Sequence, residues 1–550
     1  MKIGGQIPVQ RKPAKMTGWF NPDVLAQSAS MMAMANIFGR HSDTRLIEAL
    51  GSQPQGIFDY RQRADAVTGD FWVDYVADLG DGWNSTYAIA DAMSRETLQD
   101  TCAGQVLVMG GDQVYPYPSR EAYARRTEGP YTAAYSDRKA RPDIFAIPGN
   151  HDWFDSLISF SRLFCRPERG FAGCATRQTR SYFALQLPRD WWLIGIDLQL
   201  GADFDEPQIR YFQQVSQQMP ANANVILCVP EPLWVYELMY PRYDAYNART
   251  LEYFANEVLR RRVSVRIAGD LHFYKRHADA AGAQAIISGG GGAYLLPSHR
   301  PATPELRKGF TQQAAYPDSA VSSRLAWRNL LFPFLNPKAG WLFAIIYALS
   351  AWIASSRLNF PDIEEFSQAL RSVLAAAVRD PILGVWLIMV VAGILFFTDT
   401  HSRVYRVLGG GLHAIAHLLA ALTLAWGSMR FTVVVLGMDY GHPFQLLSAG
   451  LMTFLGGALV GGLVMGLYLL LSIGVFGRHS NEAYCSLRIQ DYKQWLRLRI
   501  DRDGVLTGWC LALDRVPRSW KDDATGRPQA TDASATAPRI VDKFSVQPRS

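Results

Sequence analysis

Hydrophobic and polar positions in this chain follow two different patterns. Between residues 68 and 295, apolar runs of strand length alternate with segments of helical period. The runs are FWVDYVAD (71–78), QVLVMGGD (105–112), DIFAIPGN (143–150), DWWLIGID (190–197), NVILCVPE (224–231), VSVRIAGD (263–270) and QAIISGGGG (284–292). Each reads as a buried strand ending in small or polar residues, the pattern of an α/β sheet covered on both faces. Such sheets place their chemistry at the carboxyl ends of strands, which makes 67–300 the expected catalytic domain. Past residue 338 the pattern changes. Ala339–Ser356, Pro381–Thr398, Val407–Met429 and Tyr440–Gly477 contain no Asp, Glu, Lys or Arg. A helix crosses the hydrocarbon layer with about 20 apolar residues, so 339–477 is expected to form four transmembrane helices.

The flanks carry weaker patterns. Residues 1–66 are expected to be helical or extended, with a helix over 17–50 that starts at Asn21-Pro22 and shows an apolar stripe through Leu25, Met31, Met34 and Ile37. Met1–Phe20 has no apolar run of signal-peptide type. Residues 301–338 read as a connector. Residues 478–520 read as a small C-terminal β element, its strands turning at Asp503-Gly504. Residues 521–550, polar and rich in Ala, Thr and Pro, are expected to be a disordered tail.

Composition narrows the class. A chain of 550 residues is too long for one compact core, and 49% hydrophobic with 19% charged excludes an intrinsically disordered protein. A net charge of +6 with interspersed acids gives no basis for a nucleic-acid partner. The six cysteines form no CxxC pair, which fits reduced thiols in the cytosol. Arg324, Arg328 and Lys338 precede the first apolar stretch, Arg403 and Arg406 separate the second from the third, and Arg478 and Arg488 follow the fourth. The loop GMDYGHPFQ has no Lys or Arg. Residues 357–380 mix basic Arg357, Arg371 and Arg379 with acidic Asp362, Glu364, Glu365 and Asp380. This distribution predicts an integral membrane protein in contact with lipids, with both termini and the α/β region cytoplasmic.

Five strand ends supply metal-ligand chemistry: Asp78-Leu-Gly80, Gly111-Asp112-Gln-Val-Tyr115, Gly149-Asn150-His151-Asp152, Val229-Pro-Glu231 and Gly269-Asp270-Leu-His272. Oxygen and nitrogen donors at converging loop tips can hold two divalent cations, which clamp a phosphate and lower the pKa of a bridging water. GDxxY alone is weak, GNHD is stronger, and the ordered series is strong.

This series resembles the calcineurin-like metallophosphoesterases, in the purple-acid-phosphatase variant of the motif set D-x-G, GDxxY, GNH[DE], VxxH, GHxH. The whole arrangement is also similar to membrane-attached bacterial phosphoesterase-like proteins, which implies a bacterial inner membrane. The resemblance covers 70–295 and implies an α/β fold, a layered β-sheet sandwich flanked by helices. It implies a first metal site of Asp78, Asp112, Tyr115 and His272, with Asp112 bridging to a second site that contains Asn150. His151 would lie beside the scissile phosphate as proton donor, and Asp152 would orient its imidazole. Two departures stand out. Pro230 occupies the place of the fourth-motif His, and Asp270 replaces the first His of the fifth motif. Glu231 and Asp270 are the expected substitutes, giving an oxygen-rich second site. The implied cofactors are two divalent ions (Mn, Fe, Zn or Mg), with Mn or Mg favoured there. The expected activity is hydrolysis of a phosphomonoester or phosphodiester by a metal-activated hydroxide. The alternative is a catalytically degenerate metal- or ligand-sensing module coupled to the membrane helices.

Secondary candidates read more simply. Asp81 is a less natural ligand than Asp78, Ser288–Gly292 is expected as a tight loop beside the metal centre, His277 as a surface His, and Asp197 as structural. His413 and His417 share one helix face at i, i+4, a spacing that can bind metal or place two neutral imidazoles to hydrogen-bond between helices. Gly457-x-x-x-Gly461 and Gly462-x-x-x-Gly466 are expected to allow close helix contact.

Overall fold

Along Phe71–Val76 the side chains alternate between two apolar environments, and that alternation builds the architecture. Phe71, Val73 and Tyr75 join one core while Trp72 and Val76 join another. The computed structural model describes residues 13–34, 55–198, 204–241, 245–356, 364–398, 402–532 and 537–548. The expected helix over 17–50 is observed as Pro22–Met34; the part from 35 to 50 lies outside the described residues.

The chain divides into two units. The first comprises Met1–Thr17, Gln27–Ser322 and Arg488–Ser550, the second Gly18–Ala26 and Ser323–Leu487. The apolar block is therefore an insertion in the sequence of the α/β unit. That unit holds a six-stranded sheet in the order Arg539–Val546, Leu506–Leu513, Lys493–Ile500, Phe71–Val76, Val106–Met109, Asp143–Ala146. Its nine-stranded sheet runs Phe58–Asp59, Phe183–Gln186, Trp191–Gly195, Asn224–Val229, Val263–Ala268, Gln284–Ser288, Tyr274–Ala278, Phe310–Tyr316, Glu305–Leu306. Val73, Val108 and Phe145 of the first sheet share a core with Ile226, Val265 and Ile267 of the second. The outer face of the six-stranded sheet, through Trp72, Leu107, Ile144, Trp495 and Trp509, packs on Tyr87, Ile89 and Met93 of the helix Trp83–Met93. All seven expected strands form, and their polar ends become loops.

The C-terminal strands complete the first sheet. Lys493–Ile500 runs antiparallel to Phe71–Val76, with Arg497 opposite Asp74. The Arg497 guanidinium, wholly buried, donates to both Asp74 carboxylate oxygens (2.7 and 3.2 Å), to the Met93 carbonyl (3.0 Å) and to Thr101 (3.2 Å). A buried ion pair is tolerated when its remaining donors are satisfied in this way.

Two expectations on the flanks are corrected. Residues 521–550 do not form a disordered tail throughout: Arg539–Val546 pairs with Leu506–Leu513, buries Phe544 and Val546, and sends Asp542 to Arg276 at 2.6 Å. Its polar neighbours in sequence hid the strand. The connector at 301–338 contributes Phe310–Tyr316 to the nine-stranded sheet, so the α/β unit continues to Ser322.

In the second unit three helices among the described residues are long and apolar enough to cross a membrane: Pro337–Ser355, Arg403–Val435 and Pro443–Phe476. The expected span at 381–398 is the helix Pro381–Phe397, which follows the amphipathic helix Phe366–Arg379 after a 101° bend; counting that bent pair as one span gives four. Asp380 caps the second member, accepting from Ile382 N (2.8 Å) and Leu383 N (3.2 Å). The glycine pairs of the last long helix allow close contact. A Cβ on Gly457 would lie 2.8 Å from Tyr347 Cβ, on Gly461 2.6 Å from Phe343 Cβ, and on Gly466 2.1 Å from the Asn329 carbonyl oxygen.

Two stability measurements follow. Asp74→Ala strands the Arg497 charge and is expected to cost about 3–5 kcal/mol in denaturant titrations of the detergent-solubilised chain, while the Asp74→Leu/Arg497→Met double variant recovers most of it. Gly461→Ala forces two helices apart and should lower unfolding stability by about 1–3 kcal/mol. Gly450→Ala, where an added Cβ meets nothing within 4 Å, should be neutral.

Candidate functional site

The expected ligands stand just beyond the carboxyl ends of five strands. Asp78 follows Phe71–Val76, Asp112 follows Val106–Met109, Asn150 follows Asp143–Ala146, Glu231 follows Asn224–Val229 and Asp270 follows Val263–Ala268. Three of these carboxylates sit on left-handed backbone: φ is 61° at Asp78, 50° at Asp112 and 68° at Asp270. Asp is among the few non-glycine residues that accept this region, and strain of this kind concentrates at functional sites. The first two loops are tied together by Asp78 N to the Gly111 carbonyl (3.0 Å) and Leu79 N to the Asp112 carbonyl (2.8 Å). Glycine at 149 is required by close approach, since a Cβ there would lie 2.0 Å from Asp112 Oδ1.

Four predicted ligands converge on one point. The Tyr115 hydroxyl lies 3.0 Å from Asp78 Oδ1, 2.9 Å from Asp112 Oδ2 and 3.0 Å from His272 Nε2. His272 Nδ1 donates to the Tyr294 carbonyl at 2.7 Å, so its proton is on Nδ1 and its Nε2 lone pair faces the cluster. A hydrogen bond of this kind fixes the tautomer of a metal-ligating imidazole. One phenolic proton cannot serve three acceptors. Asp78, Asp112, Tyr115 and His272 are all buried.

The electrostatics agree. Burial, then the charges of Asp112 and Asp270, hold the Asp78 carboxyl well above the usual carboxylate range. Asp112 is pushed up to about 7 by burial and by Asp270. Burial lowers His272 to about 3, with Lys493 adding to the effect. Buried carboxylates crowded in this way call for a cation.

Asn150 and His151 border this cluster. The Asn150 Oδ1 is buried and has no hydrogen-bond partner among the described residues. His151 N donates to Asp112 Oδ1 at 2.9 Å, and its ring lies 4.4 Å from that of Tyr115. Its Nδ1 donates to the Pro116 carbonyl at 2.7 Å, and burial lowers the imidazole to about 4. The expected pairing of Asp152 with this ring is corrected. The Asp152 carboxylate accepts from Gly149 N (2.8 Å), Gln113 N (3.2 Å) and the Tyr123 hydroxyl, so it braces the two loops instead. Burial, then Asp112, raises it to about 8.

Glu231 and Asp270, expected at the second site, are placed less favourably. Asp270 N donates to the Asp78 carboxylate (3.1 and 2.9 Å), but the Asp270 side chain accepts from the Tyr236 hydroxyl. Glu231 is half-buried and close enough for its charge to act on Tyr236. Among the described residues no three His, Cys, Asp or Glu side chains form a ready metal cage. Asp78, Asp112 and His272 are the donors that would hold an ion if one displaced the Tyr115 proton they share.

Several supporting residues carry no motif. Asp81 accepts from Thr17 N (3.0 Å) and Tyr294 N (3.3 Å), so it holds the residue that orients His272. Lys493, buried, comes from the C-terminal strand, where no sequence spacing links it to the site. The Ser288–Gly292 loop packs against the centre: a Cβ on Gly289 would meet Asp78 Oδ2 at 2.4 Å. His277, expected at the surface, is buried and bonded through Nε2 to the Thr303 carbonyl (2.7 Å), because its strand is internal to the sheet. Asp197 accepts from Trp153 Nε1 (3.1 Å) and Ser181 (2.6 Å).

No family model matches the chain, and no curated protein matches it. Among solved structures it is similar to GAP50, the anchor in the inner membrane complex of Plasmodium (13% identity, TM-score 0.33, 41% of this chain and 73% of that one). It is also similar to the purple acid phosphatase PPD1 from yellow lupin (Lupinus luteus) seeds (14% identity, TM-score 0.30, 41% of this chain and 45% of that one). A third similarity is to PhoD (11% identity, TM-score 0.25, 42% of this chain and 59% of that one). This chain thus spans about half the length of the latter two.

Proposed function

We propose that this chain is a membrane-anchored, metal-dependent phosphoesterase that hydrolyses a phosphomonoester or phosphodiester. In this reading the two sheets are a metallophosphoesterase-type sandwich, and the long apolar helices anchor it in a bacterial inner membrane with the α/β unit and both termini cytoplasmic. The observation that carries the reading is the surplus of acceptors around the Tyr115 hydroxyl, beside the unpartnered Asn150 Oδ1.

Asp78, Asp112 and His272 would hold one divalent ion, and Asp112 with Asn150 a second, completed by Glu231 and by Asp270 if Tyr236 releases it. Such ions supply a hydroxide at neutral pH and stabilise charge on phosphoryl oxygens. The protein's own groups do the rest. Tyr294 and Asp81 fix the imidazole of His272, and Asp152 holds the Gly149 loop that presents Asn150 and His151. With Nδ1 committed to Pro116, His151 exchanges protons at Nε2. Its neutral resting state turns to imidazolium when a phosphate anion arrives, and it can then protonate the leaving oxygen.

A second reading is a metal- or ligand-sensing module without turnover. It is favoured by the Tyr236 hydroxyl held on Asp270 and by the absence of a ready cage among the described residues. Full-length protein in detergent, assayed with p-nitrophenyl phosphate and bis-p-nitrophenyl phosphate across Mn, Mg, Zn and Fe, separates the two. Hydrolysis is expected, with His151→Ala lowering kcat by about 10²–10⁴-fold. Elemental analysis is expected to show bound divalent metal that Asp112→Ala loses. Metal retained with no turnover above the two variants under any of the four ions would assign the sensor.

A further inference from the structure

Within the membrane unit, the strongest concentration of unexplained polar groups lies around His413 and His417. Both imidazoles are buried, and their Nε2 atoms are 3.0 Å apart. His417 Nδ1 lies 2.9 Å from the Tyr347 hydroxyl. His413 Nδ1 is buried with no hydrogen-bond partner among the described residues. We infer that this pair is a proton-binding site: His413 and His417 share an added proton as an imidazole–imidazolium pair inside the helix bundle. The inference is independent of the phosphoesterase reading.

Proton bookkeeping locates the vacancy. When His413 donates from Nε2 to His417 Nε2, His417 carries its own proton on Nδ1 and donates it to the Tyr347 oxygen. The lone pair left over is His413 Nδ1. A proton added there makes the Nε2–H···Nε2 bond charge-assisted and so stronger. A buried charge also needs favourable surroundings on its faces. The His413 ring stacks on Tyr468 at 3.8 Å and 5°, and His417 stacks on Phe343 at 5.5 Å and 18°, so both rings lie on aromatic faces that attract a cation.

A route to the surface adjoins the pair. The Tyr468 hydroxyl is 3.0 Å from His479 Nε2 and 3.5 Å from Thr398 Oγ1. His479 Nδ1 is 3.3 Å from Glu482 Oε2, whose side chain is 38% exposed. The titratable groups facing the pair are Tyr347 from Pro337–Ser355, Tyr468 from Pro443–Leu471, and His479 with Glu482 beyond it. Pro381–Phe397 brings only the Phe397 ring, and Tyr405 of the histidines' own helix stands near His479. Among the described residues no carboxylate contacts either imidazole, so no fixed counter-ion holds the added proton. A metal fits less well: two imidazoles lack the third and fourth ligands of a closed site, and no three-ligand group occurs among the described residues.

The test is solid-state NMR of ¹⁵N-histidine in the full-length protein in lipid bilayers, titrated from about pH 8 to about pH 5. One unprotonated imidazole nitrogen, assigned by its loss in His413→Gln, is expected to become protonated as the pH falls. Tyr347→Phe keeps the ring packing and removes the acceptor, so it should lower the proton affinity of the pair by about tenfold. That variant also keeps the test decisive should His413→Gln fail to fold. Nitrogens unchanged over the whole range would overturn the proposal. So would an equivalent of Zn²⁺ bound by the pair in wild-type protein and lost in His413→Gln.

Discussion

The α/β unit is organised around a mismatch between one phenolic proton and the three acceptors that surround it. Asp78, Asp112 and His272 aim at the Tyr115 hydroxyl from three separate loops, and each is held there by a bond that looks away from the centre. The Asp270 and His151 backbone amides grip the two carboxylates, and the Tyr294 carbonyl fixes the imidazole. Crowded buried carboxylates are costly, and the loops keep them in left-handed backbone that few residues accept.

The scaffold for this geometry closes late in the sequence. Lys493–Ile500 runs beside the strand that carries Asp78, and Leu506–Leu513 and Arg539–Val546 extend the same sheet. Gln494 N donates to the Gly290 carbonyl and Ser288 donates to the Gln494 side chain, so the loop behind Asp78 rests on the last part of the chain. The Arg497–Asp74 pair fixes the register: a slip of one residue would turn Arg497 into the apolar core between the sheets. A site read from residues 78 to 272 therefore depends mechanically on residues after 488.

In the second unit the same logic uses small residues and rings. Glycines at 457 and 461 bring Tyr347 and Phe343 against the last long helix, and this approach sets Tyr347 within reach of His417. Helices in lipid gain little from apolar contact with each other, so close packing and shared hydrogen bonds decide the arrangement. The imidazoles are thus held by the contact that the glycines permit.

The sequence by itself determined the strands that carry the candidate site residues, the motif order, and the apolar stretches, because burial writes runs and spacings that survive without neighbours. It also marked Pro230 and Asp270 as departures. Other features came only from the tertiary structure. They include the strand at Arg539–Val546, the bracing role of Asp152, the Tyr236 hydroxyl on Asp270, the support of Tyr294 by Asp81, and the stacking of His413 on Tyr468. Each joins residues far apart in the chain or chooses one hydrogen-bond partner among several. Local pattern records which side chains are buried, but the partner of a buried polar group is decided by whichever donor the packed fold brings within about 3 Å.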